Sequence, residues 1–268
     1  MKTTWNKAAW ALLATPLLFA SCDKEDTGKL EGAIPASGFT TTSRSVGLTT
    51  EVTFTATNQD GFLYQWEFGD GTVGSGKQVT HVYSKGGPVM PRLITAYRSG
   101  TSVSEQQTIV LPEVTDIVKN LLTGGSSRTW KLDNTANAPI VVGTEANPSE
   151  YFAGVKAGEL PACQSDDEYT FSTNNVLKYD AKGETFTAGS FACLAPQTGD
   201  TNFTFGAATG AGFAQLTLAR AGAFIGTTDA SPTEQVYRIL AIDNQKMTLR
   251  AGSGRNNGTV FTIKLAVK

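Results

Sequence analysis

The segment Tyr64-Gln65-Trp66-Glu67-Phe68-Gly69-Asp70-Gly71 constrains this chain more than any other. Aromatic side chains recur at every second position from Phe62 to Phe68. Successive side chains of an extended strand point to opposite faces, so these rings share one face of a half-buried strand, whereas a helix would scatter them. The run leads straight into Asp70-Gly71, a tight turn in which Gly takes positive φ without steric cost. Val52, Phe54 and Ala56 show the same alternation upstream, and residues 80–83, 93–97 and 103–111 read as further strands. Regularly spaced short strands over about 80 residues predict a small β-sandwich.

Trp66, Phe68, Gly69, Asp70 and Gly71, followed about ten residues later by His81 and Tyr83, resemble the PKD domain family, with Glu67 where that family usually has Asp and Val79 where it has Pro. The resemblance implies an Ig-like sandwich over 33–112 whose role is that of a spacer or adhesion module. His81 is the chain's one histidine, hence the one candidate base for a serine or cysteine nucleophile. The resemblance instead makes it a structural residue, and Trp66 a core residue. Asp70 alone is a poor calcium site.

Residues 1–21 have the grammar of an export signal: Lys2 and Lys7, then an apolar stretch from Ala8 to Leu18 too short to span a bilayer, then small residues before Cys22. The ending resembles the lipobox of bacterial lipoproteins, with Phe19 where an aliphatic is usual, and implies acylation of Cys22 and stable anchoring in outer-membrane lipid. An ordinary secretory signal is the other reading. The acidic run Asp23-Lys24-Glu25-Asp26 looks like the signal that carries Bacteroidetes lipoproteins to the extracellular face. Asp23 alone resembles an inner-membrane retention signal, and a solvated tether over 22–32 is the plain alternative.

Val114, Ile117, Val118, Leu121 and Leu122 fall on one helical face, with Gly124-Gly125 as C-cap, so 113–125 reads as a short connecting helix that closes one end of the downstream β structure. Over 126–268, eight or nine short strands predict an antiparallel up-and-down barrel or sandwich. The segment from Ser126 to Leu132 with Trp130, and the hairpin Val236 to Arg250 turning at Asp243-Asn244-Gln245, resemble the lipocalin-like domains of Bacteroidetes lipoproteins. The whole is an all-β chain: a PKD sandwich, a short helix and a lipocalin-like β-barrel or sandwich.

Cys163 and Cys193 are an even pair in an exported chain and predict a structural disulfide, worth roughly 3–4 kcal/mol on the chain-entropy model. Neither has a neighbouring Cys or His of zinc or redox spacing, and no metal or cofactor is expected. Residues 133–168 form the longest stretch without strand pattern. In it Tyr151 and Phe152 are the candidate ligand-binding residues, offering an aromatic face for a sugar, or else plugging the barrel mouth. Asp166-Asp167-Glu168 reads as a calcium-binding or, more plainly, a solvated acidic loop.

No Gly-x-Ser-x-Gly, Walker loop or His-Glu-x-x-His occurs, nor a strand-borne acidic triad of the glycosidase kind. A net charge of −2 without a basic cluster argues against a nucleic-acid partner. The expectation is a non-catalytic, monomeric surface lipoprotein that captures an extracellular poly- or oligosaccharide for an uptake system. The alternatives are an adhesion protein binding another surface protein, a carrier of a small hydrophobic ligand, and a carboxylate-based glycosidase.

Overall fold

The structure is a computed structural model and describes residues 32–230, 234–252, 254 and 258–268. The export signal, Cys22 and most of the acidic tether lie outside the described residues.

The first domain is two packed sheets. One holds β1 (Phe39–Val46), β2 (Thr49–Ala56) and β5 (Gln78–Tyr83) in the order β1-β2-β5. The other holds β3 (Leu63–Glu67), β4 (Val73–Ser75), β7 (Arg92–Tyr97) and β8 (Gly100–Val103) in the order β4-β3-β7-β8. A small ribbon pairs β6 (Gly87–Val89) with β9 (Ile109–Leu111). The alternation does what the pattern requires: Val52, Phe54 and Ala56 from one sheet meet Tyr64, Trp66 and Leu93 from the other, with Phe39 and Phe68 completing the core. Trp66 sits 5.4 Å from both Phe39 and Phe54, ring centre to ring centre.

Two expectations need correction. Phe62 precedes β3 and is exposed, so the shared face begins at Tyr64. Residues 103–111 are two short strands rather than one. Ser104 interrupts them: its Oγ accepts the Leu93 N–H (2.9 Å) and donates to the Glu105 carbonyl (3.0 Å), while the Gln107 side chain reaches the Phe39 carbonyl (3.1 Å).

Helix α1 (Val114–Thr123) comes after Pro112 and Glu113. Asp116 lies in its first turn, where negative charge complements the helix dipole, and Gly124 (φ 62°) closes it in the left-handed region. The second domain then winds into a barrel from β10 (Ser127–Leu132), β12 (Glu168–Ser172), β13 (Val176–Asp180), β16 (Gly199–Gly206), β17 (Ala214–Leu218), β18 (Val236–Ile242), β19 (Lys246–Ala251) and β20 (Val260–Val267). Every pairing is antiparallel, and β20 closes the barrel on β10 through Trp130↔Val267 and Leu132↔Leu265. Closure leaves no free edge among these eight strands.

The barrel interior is packed: Trp130, Tyr169, Phe171, Leu177, Phe203, Leu216, Tyr237, Ile239, Leu249 and Leu265 belong to one buried cluster. Helix α1 covers the lower end. Val118 and Leu122 are fully buried there, Trp130 Nε1 donates to the Leu122 carbonyl (2.9 Å), and Arg128 Nη1 donates to the Leu121 carbonyl (2.8 Å). Residues 223–230 cover the upper end. Phe224 meets Tyr179 edge-on (4.9 Å), and the Tyr237 hydroxyl bridges the Ile225 N–H and the Ala230 carbonyl. An interior occupied by large side chains leaves the hydrophobic-carrier reading without support.

The domains meet directly. Leu48, at the tip of the β1–β2 turn, packs against the barrel cluster. A Cβ on Gly86 would lie 2.4 Å from the Pro112 carbonyl oxygen, so glycine there permits the close approach of the joint.

Candidate functional site

The aromatic ledge sits on a hairpin beside the barrel. Strand β11 (Ile140–Gly143) pairs with β20 where β10 diverges from it. On the other side of β11, Phe152 bridges back to Val142, and the Ala138 N–H donates to the Val155 carbonyl (2.8 Å). Tyr151 is 60% exposed and Phe152 is 44% exposed. They stand on the flank of the barrel and do not plug its mouth, because the mouth is already filled by the 223–230 segment.

The loop from Gly143 to Glu150 is braced from within and from below. Thr144 N donates to the Asn147 carbonyl (2.9 Å), Asn147 N to Thr144 Oγ1 (3.1 Å), and Thr144 Oγ1 to Glu150 Oε2 (3.2 Å). Glu145 folds onto the outer barrel wall. Its Oε2 accepts from Arg238 Nη2 (2.6 Å), and its Oε1 accepts from Arg238 Nη1 (3.1 Å) and Arg250 Nη1 (3.0 Å). The Arg238 guanidinium is fully buried and also donates to the carbonyls of Gly252 (2.7 Å) and Ala211 (3.0 Å). Hydrogen bonding from Arg238 is the main reason the Glu145 carboxyl is held below the usual carboxylate range, and the charge of Arg250 adds to it. The aromatic pair is thus mounted on an anchored loop.

Residues 93 and 105 positions apart make this triad, so its members are not among the expected site residues. One signal was available. Tyr237 and Ile239 point inward, which puts Arg238 outward and opposite Arg250. Like charges facing across a hairpin require an acid between them.

The expected disulfide is present: Cys163 joins Cys193, with Cα atoms 6.0 Å apart. It ties α2 (Ala162–Ser165) to the short hairpin of β14 (Thr185–Thr187) and β15 (Ala192–Leu194). Phe191, at the tip of that hairpin, is 84% exposed and left-handed (φ 50°). Beneath the hairpin, Asp166-Asp167-Glu168 is not a solvated loop. The Asp167 carboxylate is buried and accepts from Tyr179 OH (3.0 Å) and Tyr169 OH (3.5 Å). Burial pushes its carboxyl up to about 7, against the lowering effect of the Tyr179 hydroxyl and with the charge of Asp166 adding to the rise. Glu168 is paired with Lys182 (3.0 Å) and Lys268 (2.8 Å).

In the first domain the motif residues hold one turn together. Asp70 Oδ1 accepts from Thr72 N (3.0 Å) and Thr72 Oγ1 (2.6 Å), and Asp70 Oδ2 pairs with His81 Nε2 (2.7 Å). Burial would raise the Asp70 carboxyl, but the hydrogen bonds from Thr72 and His81 outweigh it and bring it down to about 2. His81 stacks on Phe68 at 4.1 Å, Tyr83 OH donates to the Phe68 carbonyl (2.8 Å), and Trp66 Nε1 donates to the Gly76 carbonyl (2.8 Å). Gly69 (φ 83°) lies so near Met90 that a Cβ would sit 2.6 Å from its backbone nitrogen. Each motif residue has a structural duty, and the Asp70 oxygens are taken by Thr72 and His81. Among the described residues no group of three His, Cys, Asp or Glu is placed to hold a metal, and no helix is long and apolar enough to cross a membrane.

This architecture is a PKD domain followed by a closed eight-stranded antiparallel barrel. Residues 33–111 match the PKD domain family. Among solved structures, the PKD1 domain of Vibrio anguillarum Epp is 22% identical, covers 29% of this chain and 98% of its own, and has a TM-score of 0.23. The PKD1 domain of the Vibrio cholerae metalloprotease PrtV is 26% identical with the same coverages and a TM-score of 0.23. A structure described as showing the promiscuous specificity of carbohydrate-binding modules of the β-sandwich superfamily is 20% identical, covers 88% of this chain and 92% of its own, and has a TM-score of 0.28. At these TM-scores no function is carried across. No curated protein matches the chain.

Proposed function

We propose that this protein is a non-catalytic surface lipoprotein, acylated at Cys22 and held in the outer membrane, that captures an extracellular poly- or oligosaccharide on its barrel domain as accessory to an uptake system. The observation that carries the reading is the solvent-facing pair Tyr151 and Phe152 on a loop fixed by the Glu145 anchor. Large aromatic side chains held in water on a fixed mount suit a flat, partly apolar ligand face, because the ordering cost of the loop is met before the ligand arrives. The engagement of His81 in the PKD turn supports a role without acid–base chemistry.

The PKD domain serves as spacer in this reading. Strand β1 runs from the far pole, where Ser37 N donates to Ser102 Oγ (3.0 Å), to the barrel joint at Leu48. The test is binding of the chain from residue 23 to a panel of immobilised polysaccharides, beside Tyr151→Ala/Phe152→Ala. Retention by the parent and its loss in the double variant is the expected outcome. Silence across the panel overturns the glycan reading.

A second reading, contact with another surface protein, is favoured by Phe191, whose tip position and exposure give it no packing role. Loss of cell-surface partner capture on Phe191→Ala, with the Tyr151 and Phe152 variants unaffected, would decide for it.

A further inference from the structure

Residues 33–37 run along the pole of the PKD domain opposite the barrel, and two bonds hold them there. The Ser99 hydroxyl donates to the Ala33 carbonyl (3.4 Å), and Ser37 N donates to Ser102 Oγ (3.0 Å). Both partners belong to the β7–β8 hairpin, whose turn carries Arg98. The β2–β3 loop ends at the same pole, because the Phe62 N–H donates to the Ala96 carbonyl (3.0 Å) and Leu63 pairs with Ala96.

Three apolar side chains face water here. Phe62 is 71% exposed, and Leu63 and Ile34 are each about half exposed. None of them belongs to the buried cluster of the sandwich. Phe62 and Leu63 are nevertheless firmly mounted. A Cβ on Gly61 would sit 2.3 Å from Thr95 Cγ2, so the loop is pressed onto the sheet immediately before Phe62. Within that loop the Asp60 N–H donates to Asn58 Oδ1 (2.9 Å), and Lys77 Nζ donates to the Gln59 carbonyl (2.7 Å). Apolar side chains gathered in water on a fixed backbone mark a contact surface.

The way the chain reaches this pole says what covers it. If Cys22 is acylated, the reading on which this inference rests, residues 22–31 alone separate the bilayer from Gly32. Ten residues reach at most about 35 Å, so the pole is held beside lipid at high effective concentration. Exposed charges of both signs, Asp60 and Arg98, flank the apolar group, which suits a zwitterionic headgroup layer. Phenyl and aliphatic side chains gain by entering the boundary between headgroups and acyl chains. We propose that this pole docks on the bilayer, with Phe62, Leu63 and Ile34 in the lipid interface and Arg98 among the headgroup phosphates. The domain pair then stands on the membrane and points its barrel outward.

The test supplies the anchor chemically. A chain beginning at Cys22 is coupled through that thiol to maleimide-bearing phosphatidylcholine vesicles; Cys163 and Cys193 are joined to each other, which leaves Cys22 as the free thiol. Phe62→Trp is the reporter, since Trp66 and Trp130 are fully buried and brominated acyl chains quench an indole only on contact. Its emission should shift to the blue on coupling and fall in brominated vesicles. Phe191→Trp, on the barrel, should not respond. Adding Ile34→Asp and Leu63→Asp to the Phe62→Trp chain should abolish the quenching, with an unchanged urea midpoint showing that the fold holds. Absence of quenching in Phe62→Trp, equal quenching in Phe191→Trp, or a dimer of the uncoupled chain that Phe62→Ala dissociates overturns the docking. Acylation is read separately, by whether Cys22→Ser frees the cellular protein from the membrane fraction, so the two readings fail independently.

Discussion

Replacing Asp167 by Asn should remove a loss of barrel stability that the parent suffers as pH rises. The carboxyl is 1% exposed, its hydrogen-bond donors are two tyrosine hydroxyls, and Asp166 and Asp180 add negative charge around it. Its pKa of about 7 in the fold compares with an ordinary value of about 4 in the unfolded chain. Between those values the folded state keeps a proton that the unfolded state has released. The contribution is therefore complete below about pH 4 and is lost as pH rises through about 7. That rise corresponds to about 4 kcal/mol, an upper figure because water entry relaxes such sites. Asn keeps the shape and an acceptor for both tyrosines and carries no charge at any pH. The assay is urea denaturation, disulfide intact, followed by fluorescence of Trp66 and Trp130 at several pH values from 5 to 8.5. The variant should exceed the parent by about 1.5 kcal/mol near pH 5 and by up to about 4 kcal/mol at pH 8.5. Groups common to both chains cancel in the difference. A difference that stays flat across this range, or a variant less stable at pH 8.5, would refute the reasoning.

Glu145→Ala should cost about 2–4 kcal/mol, between an exposed and a fully buried ion pair, because Arg238 and Arg250 then face each other without an acid; denaturation midpoints check it, and Tyr151 should become more accessible to iodination. Reduction of Cys163–Cys193, or the paired serine variant, should lower barrel stability by about 3–4 kcal/mol for the 30-residue separation, read as a lower urea midpoint with a steeper slope because the opened chain exposes more surface on unfolding. Asp70→Asn should remove an acid-limb contribution from the PKD domain. The Asp70 carboxyl is lowered to about 2, so its stabilisation is present above about pH 4 and lost as pH falls through 2. Acid titration of the two chains should converge at the low end, with the parent ahead by up to about 2 kcal/mol at pH 5.

Legibility in the sequence tracks the range of the interactions. Tyr64, Trp66 and Phe68 announce their strand because alternation is local, and Gly69-Asp70-Gly71 announces its turn for the same reason. The helix at Val114–Thr123 shows in five apolar side chains and a glycine pair. Strand β11 does not show: four residues, Ile-Val-Val-Gly, carry no alternation, and their partner β20 lies more than a hundred positions away. The acid trio misleads when weighed by composition, although its parity is informative. Asp167, immediately before β12, has the same parity as Tyr169 and Phe171 on one face of that strand, and the two aromatics declare that face to be the interior. The aromatic ledge is visible as residues, yet its mount is not, since Glu145 finds Arg238 and Arg250 only through closure of the barrel.

Leu48 and Gly86 also bear on how the molecule carries load. Strand β9 and helix α1 are joined by Pro112 and Glu113 alone, and a bare connection of that length would let one domain swing on the other. The leucine wedge adds a second point of attachment, displaced from the covalent one, and Gly86 lets the first domain close directly on Pro112 and Glu113. Two separated points of attachment resist bending in the plane that contains them. Under the proposed capture role, drag on a ligand held at the barrel is transmitted as torque through β1, roughly 25 Å long, to the pole where Ser37 meets Ser102. The domain pair acts as a lever with its fulcrum at that pole, not as two beads on a string.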